Sequence, residues 1–166
     1  QHWHNIAAAF QQHPPLTLRV NRRHGNAKSY LATLQAAGIA ADALGDYAVR
    51  LTQPLPVSAI PGFAEGWVSV QEWGAQQAAP LLNPQAGERI LDACAAPGGK
   101  SGPLLELADC NLTAIDVDAQ RLSRVSDNLQ RLSLRATLHV ADAQQTNTWY
   151  DGKPFDDILA DVPCTA

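Results

Sequence analysis

The chemistry in this sequence is carried by a glycine-rich loop, a set of aspartates and a cysteine. Ala95-Ala96-Pro97-Gly98-Gly99-Lys100-Ser101 follows a short apolar run, Arg89-Ile-Leu-Asp92, and opens a helical segment, Gly99 to Leu107. Glycines at a strand-to-helix turn let the backbone approach a ligand closely and aim free N–H groups at it. Three ligand classes compete for such a loop. A phosphate-binding P-loop requires G-x-x-x-x-G-K-[ST]; Gly99-Lys100-Ser101 fits its end, but Cys94 stands where the first glycine belongs. The dinucleotide fingerprint G-x-G-x-x-G fails, because Gly98, Gly99 and Gly102 have the wrong spacing. S-adenosylmethionine needs glycine backbone and an acid but no phosphate cradle. Asp116 supplies that acid at the end of the next strand, where a carboxylate accepts both ribose hydroxyls. The plain alternative is a glycine turn that packs strand on helix.

Two more acids extend the pattern. Asp142 follows a third strand and suits either the adenine amino group or an ordinary turn. Asp161-Val-Pro-Cys164 follows a fourth strand. A cysteine beside an acid on a ligand rim serves as a nucleophile if its thiolate is stabilised; otherwise it is an inert packing residue. Cys94 reads as a small packing residue whose backbone lines the loop, and Cys110 as turn or core material. Three cysteines without a C-x-x-C fit neither a disulfide scaffold nor a zinc site, so no metal is expected and a reducing, cytoplasmic setting is.

The elements that must position these residues fall into two segments. Over 1–82, Leu16 to Val20 alternates as a strand, Asn26 to Ala37 suits a helix stopped by Gly38, and Tyr47–Leu51 and Trp67–Gln71 are further strands. Glu72 to Leu82 reads as a helix that ends at Asn83-Pro84. Over 83–166, strands alternate with helices: Arg89–Asp92, Leu112–Asp116, Ala136–Val140 and Phe155–Asp161, with a long helix over Asp118–Leu132. That alternation predicts a parallel, doubly wound sheet whose ligands sit beyond the carboxyl ends of the strands. Asp92, Asp116, Asp142 and Asp161 all fall at or near those ends. Four strands are few for such a sheet, and the chain contains no methionine; both suggest a piece of something longer.

Composition bounds the answer. At 166 residues, with 46% apolar and 17% charged residues, the chain has the material for a compact core and not for a disordered segment. No apolar run reaches membrane-spanning length. All sixteen acidic residues lie at Asp42 or later, so the first 41 residues carry only Arg19, Arg22, Arg23 and Lys28. A short basic strip of this kind meets a polyanion by displacing counterions from phosphates, or is simply a solvated face.

These residues together resemble the RNA cytosine-C5 methyltransferases. The likeness rests on Leu91-Asp-Ala-Cys-Ala-Ala-Pro-Gly-Gly-Lys100, Ala114-Ile-Asp-Val-Asp118 with Arg121-Leu122, Ala141-Asp142 and Asp161-Val-Pro-Cys-Thr165, with Pro15–Asn21 and Gly66–Gln71 upstream. The resemblance implies an α/β fold: a truncated Rossmann-like S-adenosylmethionine-dependent methyltransferase sheet preceded by a small α/β subdomain. It implies that Cys94 through Lys100 wrap the methionine and ribose end of the cofactor, that Asp116 holds the ribose and Asp142 the adenine, and that Asp161 lies between cofactor and target base. In the family the cysteine that attacks C6 of cytosine sits in a Thr-Cys motif further along, and the Pro-Cys cysteine, here Cys164, assists product release. Since no Thr-Cys follows, the chain is expected to be inactive by itself. Ser101-Gly102 stands where the family has two threonines. The expected substrate is small-subunit (16S) rRNA, with the strip Arg19, Arg22, Arg23 and Lys28 as an RNA contact. A P-loop-like nucleotide-binding protein and a catalytically dead RNA-binding module are the rival readings.

Overall fold

A computed structural model describes residues 15–162 together with Trp3, Ile6 and Ala7. Among the described residues the chain forms two four-stranded sheets, one antiparallel and one parallel.

The first subdomain begins with β1 (Leu16–Val20). Its alternation places Leu18 and Val20 against α1 (Ala27–Ala36), which buries Ala27, Tyr30 and Leu34. Asn26 and Ser29 form a reciprocal capping box at the start of α1, and Gly38, at φ 72°, ends it. β2 (Ala41–Gly45) and β3 (Ala48–Leu51) make a hairpin, and β4 (Val68–Val70) completes the order β2-β3-β1-β4, with every pair antiparallel. β2 has little β-propensity of its own, its sequence being ADALG. It forms because the Asp46-Tyr47 turn folds it onto β3.

The sequence predicts one helix over Glu72–Leu82, and the structure departs from it. A 3-10 turn at Ala75–Gln77 leads into a short α2 (Ala78–Leu82). Pro80 is the reason: it lacks an N–H and is tolerated only in a helix's first turn, so the helix starts just upstream of it. Asn83, at φ 54°, closes α2 in the left-handed region. α2 packs Ala79, with Ala78 and Leu82, into the core of the second subdomain.

That second subdomain follows the predicted alternation: β5 (Arg89–Ala93), α3 (Ser101–Leu107), β6 (Asn111–Asp116), α4 (Ala119–Arg131), β7 (Thr137–Val140) and β8 (Asp157–Ala160). The strands run parallel in the order β7-β6-β5-β8. Ile90, Leu112 and Leu159 pack on one face against Leu104 of α3 and Leu122, Val125 and Leu129 of α4. On the opposite face Leu91, Ala93 and Ile115 meet Ala143, Trp149 and Phe155 of the β7–β8 connection.

The two subdomains are joined by polar contacts, some buried and some part-buried. Arg19 sits on the face of β1 opposite Leu18 and Val20, 5% exposed, and pairs with the buried Glu106 of α3. Its predicted place in a solvent-facing basic strip is therefore corrected: the back of β1 is covered by α3, which turns this arginine inward. Arg23 donates to the Leu105 carbonyl at 2.9 Å. Arg131, in the last turn of α4, donates to the carbonyls of Phe63 at 2.6 Å and Val68 at 2.9 Å and to Ser69 Oγ at 2.8 Å, with its guanidinium 4.4 Å from the Phe63 ring centre. Gly66 (φ 75°) lies so close that an added Cβ would meet the Arg131 carbonyl oxygen at 2.5 Å. Replacing Arg131 with methionine strands these acceptors, and the expected cost is about 2–4 kcal/mol, measured as a lowered denaturant midpoint.

Candidate cofactor and catalytic site

The site lies where the parallel-sheet topology puts it, at the carboxyl ends of β5, β6 and β8. β5 runs into the loop Cys94–Lys100, which turns sharply at once: Cys94 adopts φ 59° and Gly98 φ 94°. Three parts of the chain hold the loop: β6, α4 and the stretch just past β4. Ala95 N donates to the Ile115 carbonyl at 2.9 Å, and Ala96 N to Asp116 Oδ2 at 3.2 Å. Arg121 Nη2 donates to the Ala96 carbonyl at 3.1 Å, and Asn128 Nδ2 to the Gly98 carbonyl at 3.4 Å. From the other subdomain, Gln71 Nε2 donates to the Gly99 carbonyl at 3.0 Å. Gly98 is required twice, by its positive φ and by Val125, whose Cα and Cγ1 would lie 3.2 Å from an added Cβ. Gly99 differs: a Cβ there meets nothing within 4 Å, so this side of the loop is open.

Asp116, 3% exposed, is pinned at the end of β6. Besides Ala96 N, it accepts Asp118 N on Oδ1 at 3.0 Å and faces Arg121 Nη2 at 3.7 Å. Asp118 caps α4 by accepting from Gln120 N and Arg121 N. Asp142 is half-buried and organises its own turn, accepting from Gln144 N at 2.9 Å and Gln145 Nε2 at 3.3 Å. Asp161, exposed, pairs with the Lys100 ammonium across the rim. Cys164 lies outside the described residues. Burial, with Asp116 nearby, pushes the Cys94 thiol up from its ordinary value, which fits a packing role and not a thiolate nucleophile.

Asp92 is the residue to which the sequence assigned no individual role. It is 1% exposed at the end of β5; Ser101 Oγ donates to its Oδ2 at 2.6 Å, and its Oδ1 is buried with no hydrogen-bond partner among the described residues. Burial raises its pKa to about 6, opposed by the Ser101 hydrogen bond and by Lys100 and reinforced by Asp161. Arg121, Asn128 and Gln71 were also missed as loop supports. Arg121 stands in the motif quoted above, but only the fold brings it to the Ala96 carbonyl. Of the basic strip, Arg22 is exposed and stacks on Tyr47 at 4.1 Å, Lys28 is exposed, Arg23 is tied to Leu105, and Arg19 is interior.

With this geometry in place, comparison with known proteins decides the family. The family described as 16S rRNA methyltransferase RsmB/F matches residues 79–166, and the ferredoxin-like domain of RsmF/B-like methyltransferases matches residues 1–58. The chain belongs to the RsmB/F methyltransferase family. It is 49% identical over its whole length to the ribosomal RNA small subunit methyltransferase B of Pseudomonas syringae pv. tomato, and 51% identical to that of Pseudomonas putida. It spans 38% and 39% of those RsmB/F relatives' lengths. A methyltransferase homologue from Pyrococcus horikoshii superposes on 96% of the chain with a TM-score of 0.80 at 30% identity, the chain covering 54% of that structure. NSun6 from Pyrococcus horikoshii, solved with SFG, matches 74% of the chain at 33% identity with a TM-score of 0.59, over 33% of its own length. These are relatives of α/β methyltransferase fold, as the strand-and-helix alternation predicts.

Two outcomes follow for this RsmB/F site. Gly98→Ala, which combines a left-handed backbone with a Cβ pressed on α4, is expected to cost about 2 kcal/mol or more in denaturant unfolding. Asp92 favours its protonated form on folding, so its stabilising contribution is complete below about pH 4 and disappears as pH rises through about 6. Melting curves of the protein and of Asp92→Asn from pH 4 to 8 are expected to show the unsubstituted protein losing on the order of 2–3 kcal/mol relative to the variant across that interval.

Proposed function

We propose that the chain is the cofactor-binding part of an enzyme that methylates C5 of a cytosine in small-subunit rRNA, using S-adenosylmethionine, in the cytoplasm. The observation that carries the reading is the glycine loop bound directly to the Asp116 carboxylate, within a chain of the RsmB/F family. The curated relatives are named as small-subunit rRNA methyltransferases, and SFG, in the NSun6 structure, is an S-adenosylmethionine analogue; both support the cofactor and the rRNA substrate.

The residues present fit such a group. A buried carboxylate oxygen without a donor (Asp92 Oδ1), an open flank at Gly99 and an acid at the next strand's end suit a ligand that carries an ammonium and a ribose and no phosphate. S-adenosylmethionine supplies an electrophilic methyl group when bound. Cys94 through Lys100 hold its methionine end, Asp116 the ribose and Asp142 the adenine. Asp116 keeps lone pairs beyond those used by Ala96 and Asp118, since an ionised carboxylate offers about four acceptor positions. Asp161 hydrogen-bonds the cytosine ring, and Lys100 holds that carboxylate over the rim. Cys164 assists product release, and Arg22, Lys28 and Arg23 offer positive charge to RNA phosphates, which position a nucleic acid without reading its sequence. Carboxylates gathered around the loop, including Asp92, Asp116 and Asp161, make a poor cradle for a triphosphate, which weighs against a P-loop role.

Calorimetric titration with S-adenosylmethionine and its demethylated product is expected to give saturable binding, weakened at least tenfold by Asp116→Ala. Binding of neither ligand by folded protein overturns the reading, and affinity for ATP or GTP in their place restores the P-loop alternative. For the full-length protein, 5-methylcytosine in small-subunit rRNA, read by mass spectrometry, tests the reaction.

A further inference from the structure

Three side chains from both subdomains form one line that ends on the glycine loop. Glu106 of α3 holds the Arg19 guanidinium of β1, both buried. Arg19 Nε donates to Gln71 Oε1 at 2.8 Å. Gln71, just past β4 and buried, donates through Nε2 to the Gly99 carbonyl at 3.0 Å and to the Ala75 carbonyl at 3.3 Å, while Gln76 Nε2 donates to its backbone carbonyl at 2.9 Å.

The order of donors and acceptors in this line is forced. A guanidinium has five donors and no acceptor, so Arg19 makes Gln71 turn its amide oxygen toward β1 and its nitrogen toward the loop. The reversed amide would face oxygen to the Gly99 carbonyl and nitrogen to the arginine, two repulsions in a buried space. A buried ion pair is weak evidence of stabilisation, because desolvation offsets most of the attraction. The Arg19–Glu106 pair does something more specific, which is to orient Gln71. Gly99 is also the residue on the loop's open flank, next to Lys100, while Asp116 anchors the opposite end at Ala96.

We infer that Gln71 is a positioning residue for the cofactor, locked by Arg19 and Glu106 so that the first subdomain sets the Gly98–Lys100 backbone to receive S-adenosylmethionine. The inference rests on the cofactor reading above. The separating variant is Gln71→Glu, which keeps an acceptor for Arg19 and removes the donor to Gly99 and Ala75. Calorimetry well below the melting temperature is expected to show S-adenosylmethionine bound three- to tenfold more weakly, the range of one lost hydrogen bond, with the melting temperature within a few degrees of the unsubstituted protein. In the full-length enzyme the KM for S-adenosylmethionine is expected to rise by a similar factor with kcat and the KM for RNA little changed. Equal affinity in Gln71→Glu and the unsubstituted protein overturns the inference alone. Absence of binding by the unsubstituted protein overturns the cofactor reading and the inference with it. Should Gln71→Glu be too unstable to assay, Arg19→Lys carries the same test: it keeps a positive charge beside Glu106 and loses the Nε donor that orients Gln71. Its affinity is expected to fall while the fold is retained, and unchanged affinity overturns the inference.

Discussion

A single carboxylate at the end of β6 governs the geometry of the parallel-sheet subdomain. Asp116 gives one oxygen to Ala96 N in the glycine loop and the other to Asp118 N, at the start of α4. Strand, loop and helix are thereby referred to one buried group. A carboxylate placed there accepts backbone donors that the turn would otherwise leave unsatisfied, and buried N–H groups without partners are costly. Arg121, in the first turn of α4, faces the same carboxylate and also holds the Ala96 carbonyl, so the helix returns to the loop it helped to place.

The first subdomain contributes to the same site from behind. Its antiparallel sheet packs against α3 and α4 through arginines instead of apolar side chains: Arg19 on Glu106, Arg23 on the Leu105 carbonyl, and Arg131 reaching back to Phe63, Val68 and Ser69. Guanidinium forks suit such a junction because each satisfies several fixed acceptors with one planar group. The resulting contact is directional, whereas an apolar interface tolerates sliding. Directional contacts place Gln71 against the loop with little freedom, as a site shared between two subdomains requires.

Much of this was legible in the sequence, and for identifiable reasons. The strands of the parallel sheet are apolar runs bounded by glycine, proline or aspartate, and α4 repeats Leu122, Val125 and Leu129 at helical spacing, so local pattern and tertiary burial agree. The loop and Asp116 were readable because their chemistry depends on spacing along the chain. β2 was not readable, since ADALG becomes a strand only through pairing with β3. Nor was the split of Glu72–Leu82, where Pro80 sets the helix start. Arg19 misled because composition treats every arginine as solvated, and only the packing of α3 on β1 shows the partner 87 residues away. Asp92 stood among the strand-end acids, yet its burial, its Ser101 hydrogen bond and its unpartnered oxygen arise only once the fold encloses the end of β5.

β1 is buried on both sides, with Leu18 and Val20 in an apolar core, and Thr17 and Arg19 buried on the other face, where Arg19 meets Glu106 of the neighbouring subdomain. Side chains alternate along a strand, so a shift of one residue exchanges the two sets completely. An arginine would then enter the leucine and valine layer under α1, and two aliphatic groups would confront Glu106. Neither environment accepts the other's occupants. Five residues thus tie the mutual placement of two sheets to parity: the strand tolerates exchange of similar side chains, but an inserted or deleted residue would unseat both halves of the molecule at once.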